Sequence, residues 1–230
     1  MRDVLIALCP ALIAGCVVFG LRALLVVAVT TAACIFFEWG YEKLCGKPST
    51  ICDLSAAVTG VLLAMNLPVS IPLWQAVFGA LVAMVAVKGL FGGIGKNFAN
   101  PAITARIVMF LAFSKSMTAW VFPDAVSSAT PLAMMANGES VDYLTLLLGN
   151  HGGCLGETSA LALLIGFAYL LIRGVISWHT PVCFVGTVFV MSLILGQDAV
   201  GQILSGGLML GAIFMATDYS TTPSTNLGRV

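Results

Sequence analysis

The chain has 230 residues, with ten basic and ten acidic side chains and a formal net charge of zero. It is 60% hydrophobic and only 9% charged, and its mean hydropathy is +1.05. A soluble domain is about one quarter charged, so this composition places the chain in a bilayer, and the zero net charge points to neither nucleic-acid binding nor a polybasic surface patch. Its cysteines (Cys9, Cys16, Cys34, Cys45, Cys52, Cys154 and Cys183) are odd in number and form no Cys-x-x-Cys. They read as small apolar side chains packed between helices, not as a disulfide or metal framework.

Eight apolar segments are long enough to cross a bilayer core, at about 4–20, 23–41, 53–70, 73–91, 101–122, 157–177, 180–196 and 200–217. Ile13-Ala14-Gly15-Cys16 resembles a lipoprotein cleavage box, but an ordinary first membrane helix explains the same residues. The expected fold is therefore all-α and polytopic. Five spans (1–122) precede a long loop (123–156) and three follow it (157–230).

Lys and Arg set the orientation. With the N-terminus in the cytoplasm, Arg2, Lys43, Lys47, Lys88, Lys96, Arg173 and Arg229 fall at the inner face, and only Arg22 and Lys115 fall outside. The 123–156 loop then faces outward. A weak internal repeat relates Ser55–Pro68 to Ser205–Pro223, each a small-residue helix ending in a break. An inverted repeat of five plus five spans would need two more helices, so a C-terminally shortened chain, or a longer relative, is expected.

Lys88-Gly-Leu-Phe-Gly-Gly-Ile-Gly-Lys-Asn-Phe-Ala-Asn-Pro101 lacks the spacing of a phosphate loop and follows no strand. It reads as a tight re-entry between spans four and five, in which Asn97 and Asn100 satisfy backbone groups and Pro101 opens a helix. The lesser alternative is that this dip lines a cavity near a cofactor. Arg106 lies five residues into span five, where it either snorkels to the inner surface or pairs as a functional intramembrane charge. Glu38 and Glu42, beside Lys43, read as a solvated helix end. Asp53 and Asp218 read as helix caps or as flanks of an ion path. The tryptophans sit near span ends, as an aromatic belt requires. Thr158 or Ser159 can cap span six, with Glu157 suited to the positive end of that helix. His151 and His179 fall on opposite faces, and no metal-ligand cluster, catalytic acid or nucleophile stands out.

The longest polar interval holds Asp124-Ala125-Val126-Ser127-Ser128-Ala129-Thr130-Pro131-Leu132. The Thr-Pro step biases Thr130 away from helical geometry and keeps its hydroxyl on a loop. This stretch resembles the acceptor motif of flavin transferases, which link FMN to a threonine through its phosphate. Met1-Arg-Asp-Val-Leu-Ile-Ala-Leu, Leu90-Phe-Gly-Gly-Ile-Gly, Gly156-Glu-Thr-Ser-Ala-Leu-Ala-Leu-Leu-Ile-Gly and Phe214-Met-Ala-Thr-Asp are similar to the family of Rnf D subunits and sodium-pumping NADH:quinone reductase B subunits. The similarity runs through almost the whole chain. It departs at Ser128, where the family usually has Gly.

The resemblance implies a cell-membrane subunit of a ferredoxin:NAD⁺ oxidoreductase that couples electron flow to Na⁺ or H⁺ movement. It implies covalent FMN on Thr130 as a relay between redox centres, with Asp124, Ser127, Ser128, Ala129, Pro131 and Leu132 as the surrounding motif. The implied partners are the other subunits of the complex, a flavin transferase and membrane lipid. The rival readings are a quinone-reductase B-like component, a flavin-free channel or transporter, and a docking scaffold.

Overall fold

The computed structural model describes residues 1–93, 95–120, 130–138, 141–149, 151–218, 222–223, 225 and 227–229. Among these the chain is predominantly helical and forms no strand, only an isolated antiparallel bridge between Pro68 and Cys154. The all-α expectation holds at that level. Among the described residues two helices are long and apolar enough to cross a bilayer, α1 (Arg2–Phe19) and α2 (Leu21–Leu44), and they are separated by Gly20 at φ 72°. That left-handed conformation costs glycine little and other residues more, so the chain turns there.

The other apolar segments form shorter helices. They are α3 (Ser55–Met65), α4 (Leu73–Leu81, continued by wider π turns over Val82–Gly89) and α5 (Pro101–Ala112). The run at 101–122, expected as one span, ends its main helix at Ala112 and adds only the single turn α6 (Ser114–Met117). The 123–156 interval contains α7 (Pro131–Ala136) and α8 (Tyr143–Leu148). Next come α9 (Ala160–Ile172) and α10 (His179–Ile194). The run at 200–217 is split into α11 (Ala199–Leu204) and α12 (Leu208–Leu210, continued by π turns over Gly211–Met215). The split falls at Ser205-Gly206-Gly207, where Gly206 has φ 68°.

At 11 residues, α3 rises only about 16 Å, roughly half of a bilayer core. Its C-terminal carbonyls end among buried apolar side chains and need donors. Those donors come from far along the chain: Gly156 N–H donates to Met65 O at 2.7 Å, and Leu155 N–H to Leu67 O at 3.2 Å. Every residue from 151 to 160 is buried, so the end of the interval expected as an external loop is folded into the protein instead. Arg22 closes the other side of the break by donating to Val69 O (3.5 Å) and Ile71 O (3.2 Å).

Around this crossing lies one large core that includes Leu8, Leu63, Leu67, Met109, Leu163, Leu210 and Ile213. Asp3 accepts from Tyr169 (3.1 Å) and Arg173 (3.3 Å), tying the start of α1 to the end of α9. The tie brings the N-terminus and Arg173 to the same side of the molecule. The helices α2 and α3 pack so closely at Gly60 that an added Cβ would stand 2.6 Å from the Thr31 Cα and 3.3 Å from the Cys34 Cβ. Backbone cannot yield as a side chain can. Gly60→Ala should therefore destabilise the folded chain by about 1–3 kcal/mol, read as a lower Tm in detergent. Gly186→Ala, in α10 with nothing within 4 Å, should not lower it.

Candidate functional site

Thr130 is the N-cap of α7. Its backbone is extended (φ −62°, ψ 153°), and its Oγ1 accepts from Ala133 N–H at 3.4 Å. The following Pro131 occupies the first helical position, where a missing N–H costs nothing. The local sequence thus sets the Thr130 conformation, and among the described residues nothing accepts its hydroxyl proton. Pro131 is buried and Leu132 is 40% exposed. Asp124, Ser127, Ser128 and Ala129 lie outside the described residues.

Thr130, Pro131 and Leu132 line a cavity of about 180 Å³ together with Arg106, Trp120, His151, Gly152, Gly153, Glu157, Gly206 and Gly207. Five separate parts of the chain meet there, around 106, 120, 130–132, 151–157 and 206–207. Arg106 enters from α5 and Asn66 stands behind it at the end of α3, while residues 151–157 and the Gly206–Gly207 break close the remaining sides. Arg106 does not snorkel. Its Nη1 donates to Asn66 Oδ1 (2.8 Å) and its Nη2 approaches Glu157 Oε1 (3.3 Å) and Cys154 Sγ (3.5 Å).

Glu157 is 91% buried and uses its other oxygen to accept from Cys154 N–H at 3.3 Å. It is spent on Arg106 rather than on the α9 terminus, and Ser159 supplies the cap by accepting from Ala162 N–H at 3.3 Å. The glycines make room. A Cβ on Gly207 would lie 3.0 Å from Glu157 Oε1 and 3.3 Å from Arg106 Nη1, and one on Gly153 would lie 3.3 Å from Glu157 Oε2. His151 is 7% exposed; its Nδ1 faces Gly152 O at 3.3 Å, and its Nε2 is buried with no partner among the described residues.

A second polar cluster lies at the opposite end of α3. Lys88 is buried, forms an ion pair with Glu38 and donates to Ser55 Oγ at 2.6 Å. Cavities of about 160 and 370 Å³ both reach Lys88. Glu38 is 5% exposed and its Oε2 has no partner among the described residues. Glu42 accepts from the Thr50 N–H at 3.1 Å and from the Thr50 hydroxyl. These two glutamates are therefore not the solvated helix end expected beside Lys43. The apolar flanks of Glu38 and Lys88 were the sequence signal, since a charge in such a run must find a partner.

Asp53 takes the capping role, accepting from Ser55 N–H at 2.8 Å. Asn100 likewise caps α5, accepting from Ala102 N–H (3.0 Å) and Ile103 N–H (3.4 Å) ahead of Pro101. The Asn97 Oδ1 is buried without a partner among the described residues. No group of three or more His, Cys, Asp or Glu side chains there could hold a metal ion.

The whole chain, residues 1–230, matches the model of the NQR2, RnfD, RnfE family. The chain belongs to that family. It is 45% identical over 238 residues to the D subunit of the Na(+)-translocating ferredoxin:NAD(+) oxidoreductase complex of Acetobacterium woodii, covering 100% of this chain and 75% of the relative. It is 36% identical over 253 residues to the D subunit of the proton-translocating ferredoxin:NAD(+) oxidoreductase complex of Clostridium ljungdahlii, covering 100% of this chain and 76% of the relative. The B subunit of the Na(+)-translocating NADH-quinone reductase of Azotobacter vinelandii is 36% identical over 193 residues, 75% of this chain and 48% of that protein.

Breaking the Arg106–Glu157 pair leaves a charge in an apolar setting. Removal of one partner of a fully buried pair costs about 3–5 kcal/mol. The Arg106 side chain is 32% exposed, so solvent screens part of this. Glu157→Ala should therefore cost about 2–3 kcal/mol, measured by thermal unfolding in detergent. Replacing both partners, as Arg106→Met/Glu157→Met, should recover more than half of the loss.

Proposed function

We propose that this chain is a D-type membrane component of an ion-translocating ferredoxin:NAD⁺ oxidoreductase complex, and that it carries FMN esterified through its phosphate to Thr130. The observation that carries the reading is whole-length family membership combined with a threonine hydroxyl on a cavity that holds a guanidinium. The D-type relatives span all of this chain, whereas the B-type relative from the quinone reductase spans three quarters of it, which favours the D-type reading.

The residues present fit the phosphate end of the cofactor. Arg106 supplies positive charge, Gly206 and Gly207 leave space, and the extended Thr130 presents its oxygen at the cavity. FMN bound there would supply one- and two-electron redox chemistry, and the protein's part is to hold and orient it. A complete small-molecule pocket occupies about 300–1,000 Å³. This cavity is smaller, so the flavin ring extends beyond it, towards partner subunits.

The eight apolar segments are read as spans, five before and three after the Thr130 region. The N-terminus is then cytoplasmic and Thr130 faces the outer side. The buried Lys88–Glu38 pair suits a protein that handles charge inside a bilayer, and the relatives named above are called Na⁺- and proton-translocating. Assembly with the other subunits of such a complex, and maturation by a flavin transferase, belong to the same reading.

Co-expression with a flavin transferase tests it. The wild-type chain should give a fluorescent band on a denaturing gel under ultraviolet light, and the peptide around Thr130 should gain the mass of one FMN less water. Thr130→Ala should be dark. A dark wild-type band would count against the flavin reading, and solute flux through flavin-free liposomes would favour a transporter instead.

A further inference from the structure

A guanidinium has five N–H donors. In Arg106, three are accounted for by Asn66, Glu157 and Cys154. Among the described residues the other two have no acceptor. The contact with Glu157 is single-point, Nη2 to Oε1, because Oε2 is committed to the Cys154 amide. A pair maximised for mutual attraction would be two-toothed. The remaining donors belong to a side chain that is 32% exposed and lines the cavity shared with Thr130.

His151 supplies the second, independent observation. It is more than nine-tenths buried, and it lines the same cavity with an unpartnered Nε2. Its Nδ1 faces a carbonyl, which assigns the proton to Nδ1 and leaves Nε2 as an acceptor in the neutral ring. An acceptor cannot serve a phosphate oxygen but suits a hydroxyl. The cavity thus offers open donors from a cation and one orphan acceptor. That combination matches a phosphorylated polyol.

Resting on the flavin reading above, we propose that this cavity seats the phosphate–ribityl arm of the threonine-linked cofactor. Arg106 donates to the non-bridging phosphodiester oxygens, and His151 Nε2 accepts from a ribityl hydroxyl. Asn66 and Glu157 hold the guanidinium in place. The volume of about 180 Å³ suits an arm of that kind and not the whole cofactor. Arg106 and His151 are positioning residues: they fix the direction in which the ring leaves the cavity.

The test uses the full chain in detergent, co-expressed with a flavin transferase, and reads acrylamide quenching of flavin fluorescence in the native state. The sodium-dodecyl-sulfate-denatured sample of each variant gives the value for a free arm. Arg106→Gln/Glu157→Gln removes both charges and leaves no unpaired one. Glu157→Gln breaks the ion pair and keeps Arg106. Size-exclusion profiles establish that both fold.

Losing a charge-assisted contact of about 1.5 kcal/mol shifts the docked-to-free ratio about tenfold. The double variant should therefore be flavinylated yet quench close to the free-arm value, while Glu157→Gln, whose amide oxygen can still accept from Arg106, moves clearly less than the double variant. His151→Phe should move part of the way. Equal quenching in the double variant and wild type would overturn the proposal. So would an equal rise in both Glu157 variants, which marks a purely structural pair. A His151→Phe variant indistinguishable from wild type would remove the histidine's part. A dark wild-type band would sink the flavin reading itself, whereas a bright, accessible one defeats only this inference.

Discussion

The backbone groups freed where α3 stops have no water to turn to. An unsatisfied peptide group in an apolar interior costs several kcal/mol, so a helix can end there only if another segment brings partners. Residues 151–159 are that segment. The Gly156 amide meets the Met65 carbonyl, and the fit is tight enough that a Cβ on Gly156 would stand 2.8 Å from the Met65 Cβ and 3.0 Å from its carbonyl. The rest of the arrangement follows from this meeting of two chain breaks.

Both polar clusters are consequences of the same short helix. At the end of α3, Asn66 turns back to donate to Leu62 O at 2.7 Å, and its oxygen is left to receive Arg106. The incoming segment brings Cys154 and Glu157 with it, so the guanidinium acquires its neighbours through the backbone contact that satisfies the helix. At the start of α3, Ser55 receives Lys88 beside Glu38. This short helix thus has a charge pair beside each end.

Much of the helical layout was legible in the residues. The two long helices fall on unbroken apolar runs, Asn100-Pro101 and Ser159 act as the caps their residue types suggest, and Thr130-Pro131 gives the extended cap that the Pro step dictates. The breaks were harder to read. Segment 200–217 is mostly apolar, and only Ser205 with the Gly206–Gly207 pair hints at the interruption. Ser114-Lys115-Ser116 marks the early end of α5, but apolar residues on both sides hide it.

The site was legible only in pieces. Thr130 came from its motif, Arg106 from being a charge in an apolar run, and Glu157 from its place before a helix. Nothing in the local pattern links 66, 106, 130, 151 and 207, because periodicity reports a residue's own helix and not which helix lies across from it. In the sequence His151 stands out only as a residue on the face opposite His179, with no metal-ligand cluster around it. Its buried, unpartnered nitrogen is a property of the folded cavity alone.

The tie between Asp3 and the Tyr169–Arg173 end of α9 bears on how the chain is made. The α1 face carrying Ala7, Leu8 and Ala11 is covered by a helix that emerges about 150 residues later. At ribosomal speeds of about 5–20 residues per second, α1 spends on the order of ten to thirty seconds without that neighbour. Lipid tails can shelter such a face in the interval, since they are as apolar as the leucines that replace them. Completion of this contact then waits on α9, and a ribosome stalled before residue 160 would leave the first helix inserted but unlatched.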